Sequence, residues 1–229
     1  MKIVINKLKE ALWSEVEYVL LDMDGTIFDK HFDDYFWRQL VPSEYSSKNG
    51  MDIENAKEEL FEKYRSLEGT LNWTDLDFWS TELGLDIPGM TAQIAHILKV
   101  NPYVEEFLKE LRRYKKKVVL ATNAHYKTID IKMAKSALDK YFDFTVTSMD
   151  MGYPKENLQY WENAEKTIAF DKERTLFVDD MEQNVLTAKH YGIKYLAVKR
   201  DGAMQQYDDG EIELPTMDSF SDLMPNYGY

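Results

Sequence analysis

The chain has 229 residues, 44% of them hydrophobic, which is enough for one α/β core with a smaller inserted domain. It contains no cysteine, so disulfides and cysteine-ligated zinc sites are excluded, and a cytoplasmic location is favoured. The formal net charge of −13 argues against nucleic-acid binding, and no apolar stretch is long enough to cross a membrane, so neither partner is expected.

The first predicted strand ends in two acids. A mixed lead-in, residues 1–17, precedes an apolar run at residues 18–21, and Asp22, Asp24 and Gly25 follow that run. Carboxylates at positions i and i+2 of an extended segment point to the same side. Two such charges raise each other's pKa at a cost in stability, and a divalent cation would remove that cost. The alternative is a strand followed by an ordinary Asp-Gly turn.

Residues 31–100 have helical patterns and no predicted strand, which indicates a helical inserted domain. Three helices are predicted there: 53–64 with Asp52 as its N-cap, 75–83 with Thr74 as its N-cap and Gly84 after its end, and 90–98 after a turn at Pro88 and Gly89. The large aromatic residues of this insertion are expected to pack its interior: Phe32, Trp37, Trp73 and Trp79.

From residue 101 onward, predicted helices and strands alternate. Four helices are predicted: one at 102–114 with Asn101 as N-cap, one that ends near 138, one at 155–169 and one at 182–191. The predicted strands are 118–121, 144–147, 175–178 and 195–198. Irregular structure is expected beyond residue 199. Such alternation is typical of an α/β fold with a Rossmann-like, doubly wound parallel sheet. Residues 1–30 and 101–229 would form its core domain, and residues 31–100 the helical insertion.

Polar residues follow three of the predicted strands: Asp22 and Asp24, Thr122 and Asn123, and Asp179 and Asp180. Because parallel α/β sheets bind ligands at the carboxyl ends of their strands, these side chains are expected to converge. Clustered carboxylates without histidine or cysteine suit Mg²⁺. Taken singly, Thr122 is also compatible with an ordinary N-cap, and the acidic pair at 179–180 with a helix N-terminus that carries acids.

The segment Asp22–Thr26 after an apolar strand resembles the first motif of the haloacid dehalogenase superfamily. Thr122 with Asn123, then Lys155, and then the acidic pair at 179–180 resemble its second, third and fourth motifs, in the same order along the chain. The helical insertion resembles the cap domain that covers the active site in this superfamily. Lys155 follows Pro154, whereas the commoner order places the proline second. The alternatives to Lys155 lie beside the last strand: Lys194 and Lys199.

The resemblance implies a Mg²⁺-dependent phosphatase that works through an aspartyl-phosphate. The implied catalytic residues are Asp22 as nucleophile, Asp24 as acid and base, Thr122 and Lys155. The implied substrate-binding residues are Thr122, Asn123 and Lys155. The implied Mg²⁺ ligands are Asp22, Asp24 through its backbone carbonyl, Asp179 and Asp180. Asn184 is implied to orient metal-bound water. His125 is interpreted as a helix-start residue, because Asp24 already supplies the acid.

Four segments are similar to the bacterial GMP/IMP nucleotidase branch of the superfamily: residues 31–37, 71–73, 122–125 and 152–156. This similarity implies purine nucleoside 5′-monophosphates as substrates, whose bases would stack on aromatic side chains of the insertion. The acids Asp29, Asp33 and Asp34 are expected to accept hydrogen bonds from ribose or guanine. The expected protein is a monomer or homodimer that acts on a small phosphate monoester.

Three other functions compete with the nucleotidase interpretation. A sugar-phosphate phosphatase or phosphomutase of the same superfamily would use the same residues. A haloacid dehalogenase needs no metal and typically lacks the second acid of the first motif, so Asp24 argues against it. A non-catalytic binding protein on this fold would not require the nucleophile, the acid, Thr122, Lys155 and the acidic pair together.

Overall fold

The structure is a computed structural model that describes residues 2–200 and 214–225. Its strands are β1 (Tyr18–Leu21), β2 (Lys117–Thr122), β3 (Phe144–Thr147), β4 (Thr175–Asp179), β5 (Tyr195–Lys199) and β6 (Thr216–Met217). They form one sheet in the order β3-β2-β1-β4-β5-β6, and every pairing in it is parallel. The predicted α/β fold with a parallel sheet is therefore confirmed.

The strand order reverses at β1. From β1 the chain continues to β2 and β3 on one side, and then crosses to β4 on the other side. The pairing aligns Leu21, the last residue of β1, with Leu120 and with Val178. Asp22 and Asp179 consequently follow at the same edge of the sheet, at the switch point where sheets of this kind bind ligands.

The described residues include twelve α-helices. Their bounds are α1 (Lys2–Ser14), α2 (His31–Tyr35), α3 (Val41–Asn49), α4 (Ile53–Leu67), α5 (Leu71–Thr74), α6 (Leu76–Leu83), α7 (Ile87–Gln93), α8 (Val104–Arg113), α9 (Tyr126–Ser136), α10 (Ser148–Met151), α11 (Leu158–Ile168) and α12 (Glu182–Tyr191). Helices α2–α7 make up the insertion, and none of the described strands falls within it, as predicted. No helix in the described part of the chain has the length and apolar character needed to span a membrane.

The insertion has an apolar core of its own, separate from the two that cover the faces of the sheet. Trp79 and Phe32 are each 1% exposed, as predicted for aromatic residues that pack the interior. Tyr64 lies 5.1 Å from Trp79, 5.6 Å from Trp37 and 6.0 Å from Trp73 between ring centroids, with the rings edge to face. Trp37 and Trp73 are only partly buried, because they border a cavity described below.

Two predicted helix starts in the insertion are wrong. The N-cap of α6 is Asp75, whose carboxylate accepts from the backbone N–H groups of Asp77 and Phe78, and Thr74 ends α5 instead. Helix α7 begins at Ile87 and ends at Gln93, so Pro88 lies in its first turn rather than in a turn before it. Proline is tolerated there because a first-turn N–H has no partner within the helix.

The core differs from the prediction at both ends of the chain and at two helix starts. The lead-in forms α1, and part of the segment expected to be irregular forms β6, while residues 201–213 lie outside the described ranges. Helix α8 begins at Val104, because Asn101 donates its side-chain amide to the carbonyl of Thr26 at 2.9 Å instead of capping a helix. Helix α11 begins at Leu158 rather than 155, so Lys155 lies in the preceding loop.

Candidate active site

Lys155 is the cation at the centre of the site. Its ammonium donates to Asp22 Oδ1 at 2.5 Å, to Asp179 Oδ2 at 2.6 Å and to the carbonyl of Ala121 at 3.2 Å. Burial alone would lower the pKa of Lys155, but the charges of Asp179 and Asp22 outweigh it, so the pKa is raised. Lys155 therefore stays charged and joins the ends of β1, β2 and β4.

The loop that carries Lys155 is fixed by side chains from two sides. Asn123 Oδ1 accepts from the backbone N–H of Lys155 at 2.9 Å, and the Asn123 amide donates to Glu156 at 3.0 Å. The indole N–H of Trp161 donates to the Lys155 carbonyl at 2.9 Å. The Asn123 side chain thus positions Lys155, and its contact with a substrate stays a prediction.

Three carboxylates surround a common point at this edge of the sheet. Asp22, Asp179 and Asp180 each offer an oxygen, and these oxygens all lie within 4.8 Å of one another. Burial raises the pKa of Asp22 well above its ordinary value, with Asp179 adding to the rise and Lys155 opposing it. Burial, followed by the charge of Asp179, raises the pKa of Asp180 to about 6, although Lys30 pairs with its carboxylate.

This carboxylate cluster has the donor set of a hard cation. Asp22 Oδ2 is buried and has no hydrogen-bond partner among the described residues. The cluster offers oxygen ligands only, which Mg²⁺ prefers. The Asp24 carboxylate lies outside the cluster, which leaves its backbone carbonyl as the ligand implied by the resemblance. The residues present therefore fit Mg²⁺.

Asp179 is held in place by the start of α12. Its Oδ1 accepts from the backbone N–H of Met181 at 2.8 Å. The Asn184 amide donates to both Asp179 oxygens, at 3.2 and 3.1 Å. Asn184 thus orients the Asp179 carboxylate, and its own Oδ1 is buried without a hydrogen-bond partner in the described structure. A contact between that oxygen and metal-bound water stays a prediction.

The Asp24 carboxylate is not part of the carboxylate cluster, and it is paired with Lys132, which the sequence did not predict as a site residue. Its Oδ1 lies 2.6 Å from Lys132 Nζ, and its side chain remains 31% exposed. Lys132 is fully buried on α9. The sequence carries one signal for it, since Lys132 occupies the same face of α9 as the buried residues Thr128, Ile129 and Met133.

The hydroxyl of Thr122 serves its own loop, because it accepts from the backbone N–H of Ala124 at 3.0 Å. The next helix, α9, begins at Tyr126, and His125 is its N-cap residue, in line with its interpretation as a helix-start residue. The alternatives to Lys155 are placed elsewhere, since Lys194 is near Glu15 and Glu173, and Lys199 donates to the Arg200 carbonyl. A contact of Thr122 with a phosphoryl group stays a prediction.

Gly25 allows the loop after β1 to pass close to Asp180. Its φ of +90° is a conformation that side-chain-bearing residues rarely adopt. A Cβ atom at this position would collide with the Asp180 carboxylate and with the side chain of Lys30. Any larger residue would therefore displace one of the three clustered acids.

We expect Gly25→Ala to lower the free energy of unfolding by about 2–3 kcal/mol and to weaken the response to Mg²⁺, because it adds a collision to backbone strain. Thermal melting with and without Mg²⁺ measures both effects. Gly50→Ala is the matched control, since Gly50 has a φ of +63° and open space around its Cβ position. It should cost only about 1 kcal/mol of strain. Equal responses of the two variants would show that the collision has no consequence.

A cavity of about 590 Å³ opens between the insertion and the core, with Asp24 in its wall. Residues from both sides line it, among them Trp37, Arg38, Tyr64, Arg65, Trp73, Trp79 and His125. Tyr64 OH and Thr74 Oγ1 are buried and have no hydrogen-bond partner among the described residues. The wall of the cavity is thus rich in aromatic residues, and two of its lining residues carry buried hydroxyls without a partner among the described residues.

The sequence model of one protein family, the haloacid dehalogenase-like hydrolases, matches residues 16–192 of this chain. GMP/IMP nucleotidase YrfG of Escherichia coli (strain K12) is 39% identical over 183 residues, which cover 80% of this chain and 82% of that protein. Among solved structures, a HAD phosphatase from Thermococcus onnurineus has a TM-score of 0.78 at 21% identity, covering 91% of this chain and 96% of that one. The magnesium-bound HAD-hydrolase YfnB of Bacillus subtilis has a TM-score of 0.63 at 14% identity, covering 92% and 97%.

Proposed function

The chain belongs to the haloacid dehalogenase-like hydrolases, and from that premise we propose that it is a Mg²⁺-dependent phosphomonoesterase that acts on purine nucleoside 5′-monophosphates. The observation that carries the proposal is the buried Asp22, with one oxygen on Lys155 and the other without a partner, beside two further acids. This arrangement supports a nucleophilic carboxylate that needs a cation. A related structure that binds magnesium agrees with the choice of metal.

The chemistry proposed for these residues has two steps. In the first, an oxygen of Asp22 attacks phosphorus and the ester oxygen leaves with a proton from Asp24, which yields an aspartyl-phosphate and an alcohol. In the second, Asp24 takes a proton from water, and that water attacks the aspartyl-phosphate, which releases phosphate and restores Asp22. Lys155 offsets the charge on Asp22 and on the phosphoryl oxygens. Mg²⁺, when held by the acids, would neutralise charge that spreads over the transferred group.

The preference for nucleotides rests on the cavity beside Asp24 and on the relative named GMP/IMP nucleotidase. The partly buried side chains of Trp37 and Trp73 line this cavity and offer stacking surfaces for a base.

The acids expected to read ribose or guanine are already engaged within the protein. Asp33 pairs with Lys132, Asp34 pairs with Arg38, and Asp29 accepts from the backbone N–H of His31. Each of these acids would have to give up a partner to bind ribose or guanine.

A substrate panel tests the proposal. Phosphate release would be measured from GMP, IMP, AMP, UMP, p-nitrophenyl phosphate and several hexose and triose phosphates. Purine monophosphates should lead in kcat/KM by at least about tenfold, or about 1.4 kcal/mol of transition-state binding. A sugar phosphate in first place would refute the nucleotidase but leave the phosphatase mechanism intact. A transferred rather than released phosphate would identify a phosphomutase, and inactivity on every ester would refute the proposed function as a whole.

A further inference from the structure

We propose that Lys132 is a positioning residue that aims the Asp24 carboxylate at the leaving-group oxygen and makes this aim depend on contact between the core and the helical insertion. The proposal rests on the function proposed above. Its basis is a buried ion-pair cluster that joins three parts of the chain: Asp24 in the loop after β1, Lys132 on α9 of the core, and Asp33 on α2 of the insertion.

The Lys132 ammonium is buried and bonded to both acids of this ion-pair cluster. Its ammonium lies 2.6 Å from Asp24 Oδ1, 2.8 Å from Asp33 Oδ1 and 2.7 Å from Asp33 Oδ2. Because Lys132 is fully buried and is not among the residues that line the cavity, a substrate there would not reach its ammonium. Lys132 consequently acts on the reaction only through Asp24, which is why we assign it positioning rather than catalysis.

The cluster leaves one oxygen of Asp24 for chemistry. Lys132 holds Oδ1, while the side chain of Asp24 borders the cavity and remains partly exposed. Oδ2 is therefore the oxygen that would exchange a proton with the leaving group. General acid catalysis requires such an oxygen to lie within hydrogen-bond reach of the departing atom, so a carboxylate free to rotate would lose part of the benefit.

Burial of the Lys132 ammonium is energetically unfavourable, which suggests that the lysine is kept there for a function. A fully buried ammonium loses its hydration, and only well-placed partners offset that penalty. The neighbouring buried residues of α9 include Ile129 and Met133, so an apolar side chain would fit the face of the helix on which Lys132 lies. The ammonium also lies 4.8 Å from the centre of the Phe32 ring, which adds a second contact with α2.

Contact with the insertion completes the cluster. Two of the three Lys132 hydrogen bonds go to Asp33, which belongs to the insertion, and one goes to Asp24, which belongs to the core. If the insertion moved away from the core, Asp33 would leave with it, and Lys132 would lose the partners that fix its direction. The acid is thus fully oriented only when the insertion covers the site, which links proton transfer to substrate enclosure.

The test compares leaving groups in single-turnover formation of the aspartyl-phosphate. The p-nitrophenolate of p-nitrophenyl phosphate departs without protonation, whereas the alkoxide of an alkyl phosphate needs a proton from Asp24. We expect Lys132→Met to slow the reaction of the best alkyl phosphate of the substrate panel by at least about thirtyfold, within the range that general acids contribute. The rate with p-nitrophenyl phosphate should fall less than about threefold.

Lys135→Met is the matched control, because Lys135 is exposed on the same helix, and it should change neither rate. Asp33→Asn keeps the Lys132–Asp24 pair and weakens the link to the insertion, so it should shift the ratio of the two rates in the same direction by a smaller factor. Thermal melting would show whether Lys132→Met folds. If it does not fold, the ratio of rates in Asp33→Asn tests the proposal by itself.

Equal losses with both leaving groups, or an unchanged ratio in Asp33→Asn, would overturn the assignment of Lys132. Wild-type protein that is inactive on every ester would instead refute the proposed function. The two failures are therefore distinguishable.

Discussion

Replacement of Asp22 by asparagine is expected to lower turnover by about a thousandfold or more while the protein stays folded. An amide is a poor nucleophile, so the variant would lose the covalent step that the proposed mechanism requires. The substitution conserves shape, and the site is fully formed around it. Asp22 Oδ1 accepts from Lys155, and the carboxylate is buried at the end of β1.

Two features explain why the fold should tolerate Asp22→Asn. Burial raises the pKa of the Asp22 carboxyl, which means that its charged form is disfavoured in the folded protein relative to water. Lys155 keeps Asp179 as a charged partner at 2.6 Å after the substitution. We therefore expect the free energy of unfolding to change by no more than about 1–2 kcal/mol.

The measurement is steady-state phosphate release with p-nitrophenyl phosphate, together with thermal melting. Asp139→Asn is the matched control, since Asp139 is exposed on the surface of the core and lies outside the clusters described above. It should retain full activity. If Asp22→Asn kept more than about a tenth of the wild-type rate, Asp22 would not be the nucleophile, because loss of covalent catalysis costs orders of magnitude.

The sheet and the acids at its edge could be predicted because each depends on a short stretch of sequence. An apolar run that ends in Asp22 and Asp24, and another that ends in Asp179 and Asp180, indicate buried strands whose ends carry ligands. Parallel pairing then brings the ends together without further information. Lys155 was identified from its motif, although its helix start was predicted three residues too early.

Lys132 was not predicted because its role depends on residues 108 and 99 positions away. Within α9 nothing distinguishes a lysine buried against two distant acids from one at the edge of an apolar face. The start of α6 was predicted wrongly for a related reason. Thr74 and Asp75 are both residue types that favour the N-cap position, and only the hydrogen bonds that Asp75 accepts decide between them. Asn101 likewise has a cap residue's side chain but uses it on the carbonyl of Thr26.

Removal of Mg²⁺ is expected to abolish turnover and to lower the melting temperature without unfolding the protein. Three carboxylates meet at the end of the sheet, and only two lysines are known to pair with them in the described structure. Lys155 pairs with Asp22 and Asp179, and Lys30 pairs with Asp180. We expect the lysines to offset enough charge for the metal-free protein to stay folded. The charges do not balance, however, and Asp22 Oδ2 is left without a partner, so a divalent cation should bind to the folded state.

A ligand that binds only the folded state stabilises it by mass action, which amounts to about 2.7 kcal/mol at a concentration one hundred times its Kd. For a chain of this size, that corresponds to a rise in melting temperature of about 5–10 °C. The protein would be treated with EDTA, freed of chelator, and titrated with Mg²⁺ while phosphate release and thermal melting are followed. Asp179→Asn should lose most of the rise in melting temperature, whereas Asp139→Asn should show all of it.

The stability readout separates metal binding from metal-dependent chemistry. If Mg²⁺ raised the melting temperature but not the rate, the carboxylate cluster would bind the cation without using it in the reaction. Undiminished activity after exhaustive chelation would contradict the requirement for a metal, and so would a titration that changed neither quantity. Lys155 and Lys30 offset charge in the carboxylate cluster, so we expect the metal-free protein to stay folded. Loss of activity in EDTA at a temperature well below the melting temperature then reports on the chemistry of the acids rather than on unfolding.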